Sequence, residues 1–147
     1  MGDGDRLAGA WRLVSWVSAT AGKTSPMFGP SPRGTLILDP ASQVAAVQIA
    51  AVPRASLSVA LWLMADPGEA RAAYVSYFAY WGRYTIDEPT ATLAIVLDEC
   101  LFPNWSGTEQ RRTYRLEADD LVLISPAMMV GGEAIHQQLR WSRVPGS

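Results

Sequence analysis

The sequence predicts a mainly β chain: a single antiparallel barrel of about eight strands with one short α-helix. Three observations lead there. Apolar residues recur with period two through most of the chain, clusters of Pro, Gly, Asp and Ser cut it into short segments, and only the stretch at about 67–78 combines a helix start with a helical stripe. A length of 147 residues suits one domain, 1–147. A domain of that size buries roughly 68–70% of the surface of its unfolded chain, which is enough for a real core.

The first strand is expected over Gly9–Ala19, with Trp11, Leu13, Ser15 and Val17 on one face and Arg12, Val14, Trp16 and Ser18 on the other. Ala21 to Gly34 holds three Pro and three Gly and is expected to be a loop. Thr35–Leu38 and Gln43–Ala50, joined through Asp39-Pro40-Ala41-Ser42, read as a hairpin. Ser56 to Ala65 fits a strand by its alternating Leu57, Val59, Leu61 and Leu63, and a helix by Ala60 and Met64.

Asp66-Pro67-Gly68-Glu69 is a helix start: Asp66 caps, Pro67 takes the first helical position, and Glu69 is placed to reach back as in a capping box. A helix to about Phe78 would put Ala70, Ala73, Tyr74, Tyr77 and Phe78 in one stripe against the body of the protein. Period two then returns. Tyr80, Gly82, Tyr84 and Ile86 share a strand face, Asp87-Glu88-Pro89 turns, and Thr90–Glu99, Thr108–Leu116, Leu121–Ser125 and Glu133–Arg143 complete the set, with a loop at Phe102–Gly107. About eight short strands can close a barrel whose interior holds one small ligand.

Composition removes several function classes. A formal charge of −2 gives no attraction to phosphate backbones, so no nucleic-acid partner is expected. The single Cys100 excludes an internal disulfide, and the single His136 excludes a multi-His metal site, so neither metal nor cofactor is expected. No G-x-S-x-G elbow, P-loop or Gly-rich dinucleotide turn occurs. The polar, acidic start Met1–Arg6 lacks the features of a secretory signal, and the apolar region 44–65 is broken by Gln48, Pro53, Arg54, Ser56 and Ser58. A cytoplasmic protein with no membrane partner is expected; a homodimer stays open. One Lys against eleven Arg, with much Ala, fits a GC-rich bacterial genome.

Several segments are recognisable. Gly9-Ala10-Trp11 resembles the Gly-x-Trp signature of the lipocalin and wider calycin group, and Trp141-x-Arg143 resembles the closing Trp-x-Arg of bacterial lipocalin-like domain proteins. Phe28-Gly29-Pro30 with Arg33-Gly34, Ala79–Asp87, Phe102–Gly107 and Arg112–Leu116 resemble the same family in order and spacing. The resemblance implies a small lipocalin-like barrel with an internal cavity. It implies no single reaction, since members include cyclases and isomerases of natural-product pathways. Members often carry His on the strand before the Pro-Asn-Trp loop, where this chain has Leu93–Cys100; a more apolar cavity is implied.

Asp98 and Glu99 follow a strongly apolar strand whose alternation would turn one of them inward; a buried carboxylate needs a partner or a raised pKa, and Glu99 is the candidate acid/base. The alternative is a solvated or Arg-paired strand end. If Tyr114 and Leu116 point inward so does Arg112, either as a ligand-polarising group or as a structural Arg closing the barrel against Trp11, much as Arg143 could. Tyr80 and Tyr84 are either cavity hydroxyls, with Tyr84 placed to stabilise developing negative charge, or plain core. Trp11, Tyr80, Tyr114, Trp141, Leu97 and Asp98 are the expected binding wall, with Met27 and Phe28 at its mouth. His136 is read as a surface residue and Cys100 as a small buried hydrophobe.

The leading functional expectation is a cofactor-free cyclase or isomerase acting on a hydrophobic, polyketide-like intermediate, with Tyr84, Arg112 and Glu99 as its polar groups. A Diels–Alder-type cycloaddition is its most concrete form, within an antibiotic-type biosynthetic pathway. The alternative is a carrier for a small apolar molecule. A third is an interaction protein whose barrel is filled by its own side chains.

Overall fold

The computed structural model describes residues 1–147. Its elements are α1 (Asp3–Leu7), β1 (Gly9–Thr20), β2 (Lys23–Pro26), β3 (Arg33–Asp39), β4 (Val44–Ala50), α2 (Pro67–Val75), β5 (Tyr77–Asp87), β6 (Thr92–Cys100), β7 (Glu109–Glu117), β8 (Asp120–Ile124), β9 (Met128–Val130) and β10 (Glu133–Arg143), with single 3₁₀ turns at Trp62–Met64 and Pro103–Trp105. Eight strands run antiparallel in the order β1-β3-β4-β5-β6-β7-β8-β10, and β10 pairs back onto β1, closing the barrel. The short β2 and β9 extend the hairpins of β1 and β10 beyond the barrel wall.

Alternation sets the core. Leu36 and Leu38 on β3, Val47 and Ile49 on β4, Leu93, Ile95 and Leu97 on β6, and Leu121 and Leu123 on β8 all point inward and are almost fully buried. One end is plugged: α1 folds across it with Leu7 inside, and Trp11 donates its indole N–H to the Leu7 carbonyl at 3.0 Å. The short links 39–44, 87–92 and 117–120 lie at this end. The longer segments 20–33, 50–77, 100–109 and 124–133 all lie at the other end and form the mouth.

The structure corrects several expectations. The supposed loop 21–34 contains β2 and the start of β3, and α1 is a second helix that its five residues do not announce. Segment 56–65 is neither strand nor continuous helix. Helix α2 starts as expected, with Asp66 accepting from the Glu69 amide at 2.8 Å. Glu69 does not complete a capping box, because its carboxylate binds the Ser58 amide and hydroxyl at 2.7 and 3.0 Å. The helix ends at Val75 and buries no residue, so there is no stripe against the body; Tyr77 and Phe78 belong to β5, paired with Ala50 and Ile49. Sheet pairing with β4 outweighs a weak helical preference in these aromatics.

Two register shifts matter most. On β1, Leu13 pairs with Trp141 and Ser15 with Arg140, so Val14 bulges outward and the alternation inverts. Trp16, expected opposite Trp11, thereby joins the interior. On β6, Leu97 pairs with Gly82 and Glu99 with Trp81, leaving Asp98 as the extra residue. Leu97 is inside, Asp98 and Glu99 are both exposed, and Cys100 turns back inward.

Candidate functional site

Above the plugged end the barrel is hollow. Its cavity of about 120 Å³ has thirteen lining residues, eleven of them hydrophobic, the exceptions being Arg112 and Gln137. The walls are aliphatic, built of Leu36, Val47, Ile49, Ile95, Leu123 and Leu139. Aromatic rings supply the rest, namely Trp16, Phe78, Tyr80, Trp105 and Trp141. Toward the mouth it meets a vestibule of about 500 Å³ lined by Ser18, Gln110, Ser125, Met128 and Ile135 among others. Trp105, Arg112 and Gln137 line both spaces and form the neck between them.

Local sequence explains each neck residue. Trp105 sits on the 3₁₀ turn of Phe102-Pro103-Asn104-Trp105, where its ring packs edge-on against Phe78 at 5.6 Å and Phe102 at 5.9 Å. Gln137 accepts from the Trp16 indole at 2.7 Å, and its own amide nitrogen donates to Ser18 at 3.3 Å. Arg112 follows the inward phase of Gln110, Tyr114 and Leu116 on β7. Its one hydrogen bond runs from Nη1 to the Arg111 carbonyl at 2.7 Å, and it has no carboxylate partner.

Tyr80 lies deeper. Burial raises its pKa, partly opposed by the positive charge of Arg112. Trp141 is 1% exposed, and its buried Nε1 has no hydrogen-bond partner.

Of the expected site residues, the structure brings Arg112, Tyr80 and Trp141 together around the cavity. Phe28, in a left-handed conformation at φ 59°, packs on Trp16 with ring centres 4.8 Å apart, and the Met27 amide bonds the Trp16 carbonyl; both support the mouth from behind that ring. Trp11, Tyr84, Tyr114 and Leu97 lie in the packed core instead of lining the cavity. Burial, with the nearby Asp39 carboxylate, raises the pKa of Tyr84. Tyr114 donates to Asp3 Oδ2 at 2.6 Å, and burial followed by that bond raises its pKa strongly.

Asp98 and Glu99 are outside the barrel; Glu99 borders an external groove of about 320 Å³ with Ala46, Ala79 and Trp81. The β6 bulge is the cause, so neither carboxylate faces the cavity. Cys100 is partly buried against the core, and burial raises its thiol pKa. His136 is half-buried on β10, on the face opposite Gln137 and Leu139.

Sequence reading missed ten of the lining residues: the aliphatic wall of Leu36, Val47, Ile49, Ile95, Leu123 and Leu139, together with Trp16, Phe78, Trp105 and Gln137. The Val14 bulge hid Trp16 and the overlong helix hid Phe78. Leu139 was visible as the inward neighbour of Trp141, and Gln137 continues that phase two residues earlier.

No group of three or more His, Cys, Asp or Glu residues is placed to hold a metal ion. No helix is long and apolar enough to cross a membrane. A family model described as a lipocalin-like domain matches residues 8–144. No curated protein and no solved structure matches the chain.

Proposed function

Because the chain belongs to the lipocalin-like domain family, we propose that its barrel binds one small apolar molecule, taken in through the mouth past Trp105, Arg112 and Gln137. The supporting observation is the cavity wall, with eleven hydrophobic residues among thirteen. Pockets of this kind are mostly apolar, with a few placed polar groups that fix orientation. An empty volume of about 120 Å³ approaches that of an engineered apolar cavity of about 150 Å³ that takes up benzene. It therefore suits a ring or short chain, with the rest of the guest in the vestibule.

The test is saturable fluorescence enhancement of 1-aminoanthracene by the wild-type protein, compared with Leu139→Trp, which fills the cavity from a partly buried position. Stoichiometric binding that weakens about tenfold in the filled variant, at unchanged melting temperature, supports the reading. Equal binding by both proteins, or none by the wild type, overturns it.

A catalytic version of the same site is a cofactor-free cyclase or isomerase of a hydrophobic, polyketide-like intermediate. Its support is that Arg112 and the Tyr80 hydroxyl-bearing ring both line the cavity, two groups suited to polarising a carbonyl. Positioning alone can supply on the order of 7–11 kcal/mol. In a Diels–Alder-type step the π electrons of a diene and an alkene become two new σ bonds and one new π bond, so nothing enters or leaves. The check is incubation with a linear triene carrying an enone, watched for a product of unchanged mass; formation at an equal rate with Arg112→Met would remove that residue from the mechanism, and absence of product would leave a carrier.

A further inference from the structure

Resting on the reading that the barrel holds an apolar guest, we infer that the guest is an organic monocarboxylate, bound with its hydrocarbon end inside the cavity and its carboxylate at the neck against Arg112. The first ground is the charge inventory. No Asp or Glu lines either the cavity or the vestibule, and Arg112 is the one charged residue in both linings. The one formal charge of the linings is therefore positive, which a guest with one negative charge complements.

The second ground is what Arg112 lacks. A guanidinium carries five N–H donors in a fork that matches a carboxylate. Only one hydrogen bond is made here, from Nη1 to the carbonyl of the preceding residue. The ion pairs of the chain use Arg6, Arg111, Arg115 and Arg140 instead. Arg143, the other arginine turned toward the barrel, is engaged within the chain: it lies over the Trp11 ring and donates to the Ala8 and Arg6 carbonyls. Arg143 thus has a structural assignment within the chain, and Arg112 does not. The N–H groups of Arg112 that make no bond within the protein open onto the neck, where a guest's carboxylate can take them.

The third ground is orientation. Arg112 is shared by cavity and vestibule, and polar Ser18, Gln110, Ser125 and Gln137 line the vestibule with it, while the cavity below is hydrocarbon and indole. A carboxylate thus stays at the wet neck and an apolar tail goes down, so no unpaired charge is carried into the interior.

The experiment is displacement of bound 1-aminoanthracene by octanoate and by 1-octanol, in wild type and in Arg112→Gln. Octanoate should displace the probe about tenfold more tightly than 1-octanol from the wild type, about 1.4 kcal/mol. The preference should vanish in Arg112→Gln, octanoate then displacing the probe no better than 1-octanol. Equal displacement by acid and alcohol in the wild type, or a preference that survives in the variant, overturns the carboxylate assignment while leaving the apolar cavity standing. Failure of both compounds, in a protein that does not take up the probe, overturns the cavity reading and this inference with it.

Discussion

The guanidinium of Arg143 lies over the ring of Trp11, 4.2 Å from its centre. The two residues are register partners, Trp11 from the first strand of the barrel and Arg143 from its last, so this stack sits on the seam where the sheet closes. The same arginine donates to the Ala8 carbonyl at 2.8 Å and to that of Arg6, tying down the chain that leaves α1. Seam, plug and terminal strand are thereby held by one side chain.

Arg143→Met should therefore destabilise the protein by about 2–4 kcal/mol, combining a desolvated cation–π contact with charged hydrogen bonds to carbonyls. Urea denaturation should show a lower midpoint at unchanged slope. A midpoint equal to that of the wild type would remove the seam role.

Gly82 faces the β6 bulge so closely that a Cβ there would stand 1.9 Å from the Val96 carbonyl oxygen and 2.8 Å from its carbon. Both are backbone atoms of a paired strand, so the neighbour cannot rotate away. Gly82→Ala should cost roughly 2–4 kcal/mol through forced separation of β5 and β6. Thermal unfolding reads the loss; a variant as stable as the wild type would mean that the two strands part freely.

Three tyrosines, Tyr80, Tyr84 and Tyr114, have pKa values raised above the ordinary 10.0, each chiefly by burial. For a group raised in the folded state, stability is whole below the unfolded pKa and is lost as pH rises toward the folded one. Stability should thus fall progressively above about pH 10. Tyr114→Phe should shallow that alkaline slope, while its lost bond to Asp3 lowers stability at neutral pH by about 1–2 kcal/mol. Denaturation midpoints across the alkaline range decide it, and an unaltered slope in the variant would refute the assignment.

Acid acts through other groups. Glu117 is held below the usual carboxylate range by hydrogen bonds from Arg115 and Arg140, and Asp39 by Ser42. A depressed pKa stabilises above the unfolded value, and that contribution is lost as pH falls through the folded one. Stability should accordingly decline below the ordinary values of 4.5 and 3.8. Glu117→Gln should weaken this acid dependence in the same titration; an identical acid limb would assign it elsewhere.

The barrel is legible in the chain itself: alternation and turn residues give its strands, Asp66-Pro67 the start of α2, and Gly9-Ala10-Trp11 with Trp141-Ser142-Arg143 the two sides of the seam. The chain also places Arg112 on an inward phase and Tyr80 and Trp141 with it. Which aromatics line space and which fill it follows from strand pairing and end-plugging in three dimensions. Alternation is a property of one strand, whereas a bulge is a property of a pair: Val14 is extra only against β10, and Asp98 only against β5. Each inverts every side chain beyond it, bringing Trp16 in and putting Glu99 out. Likewise, Trp11, Tyr84 and Tyr114 are core and not cavity because the remote α1 plugs their end of the barrel, a contact no local pattern encodes.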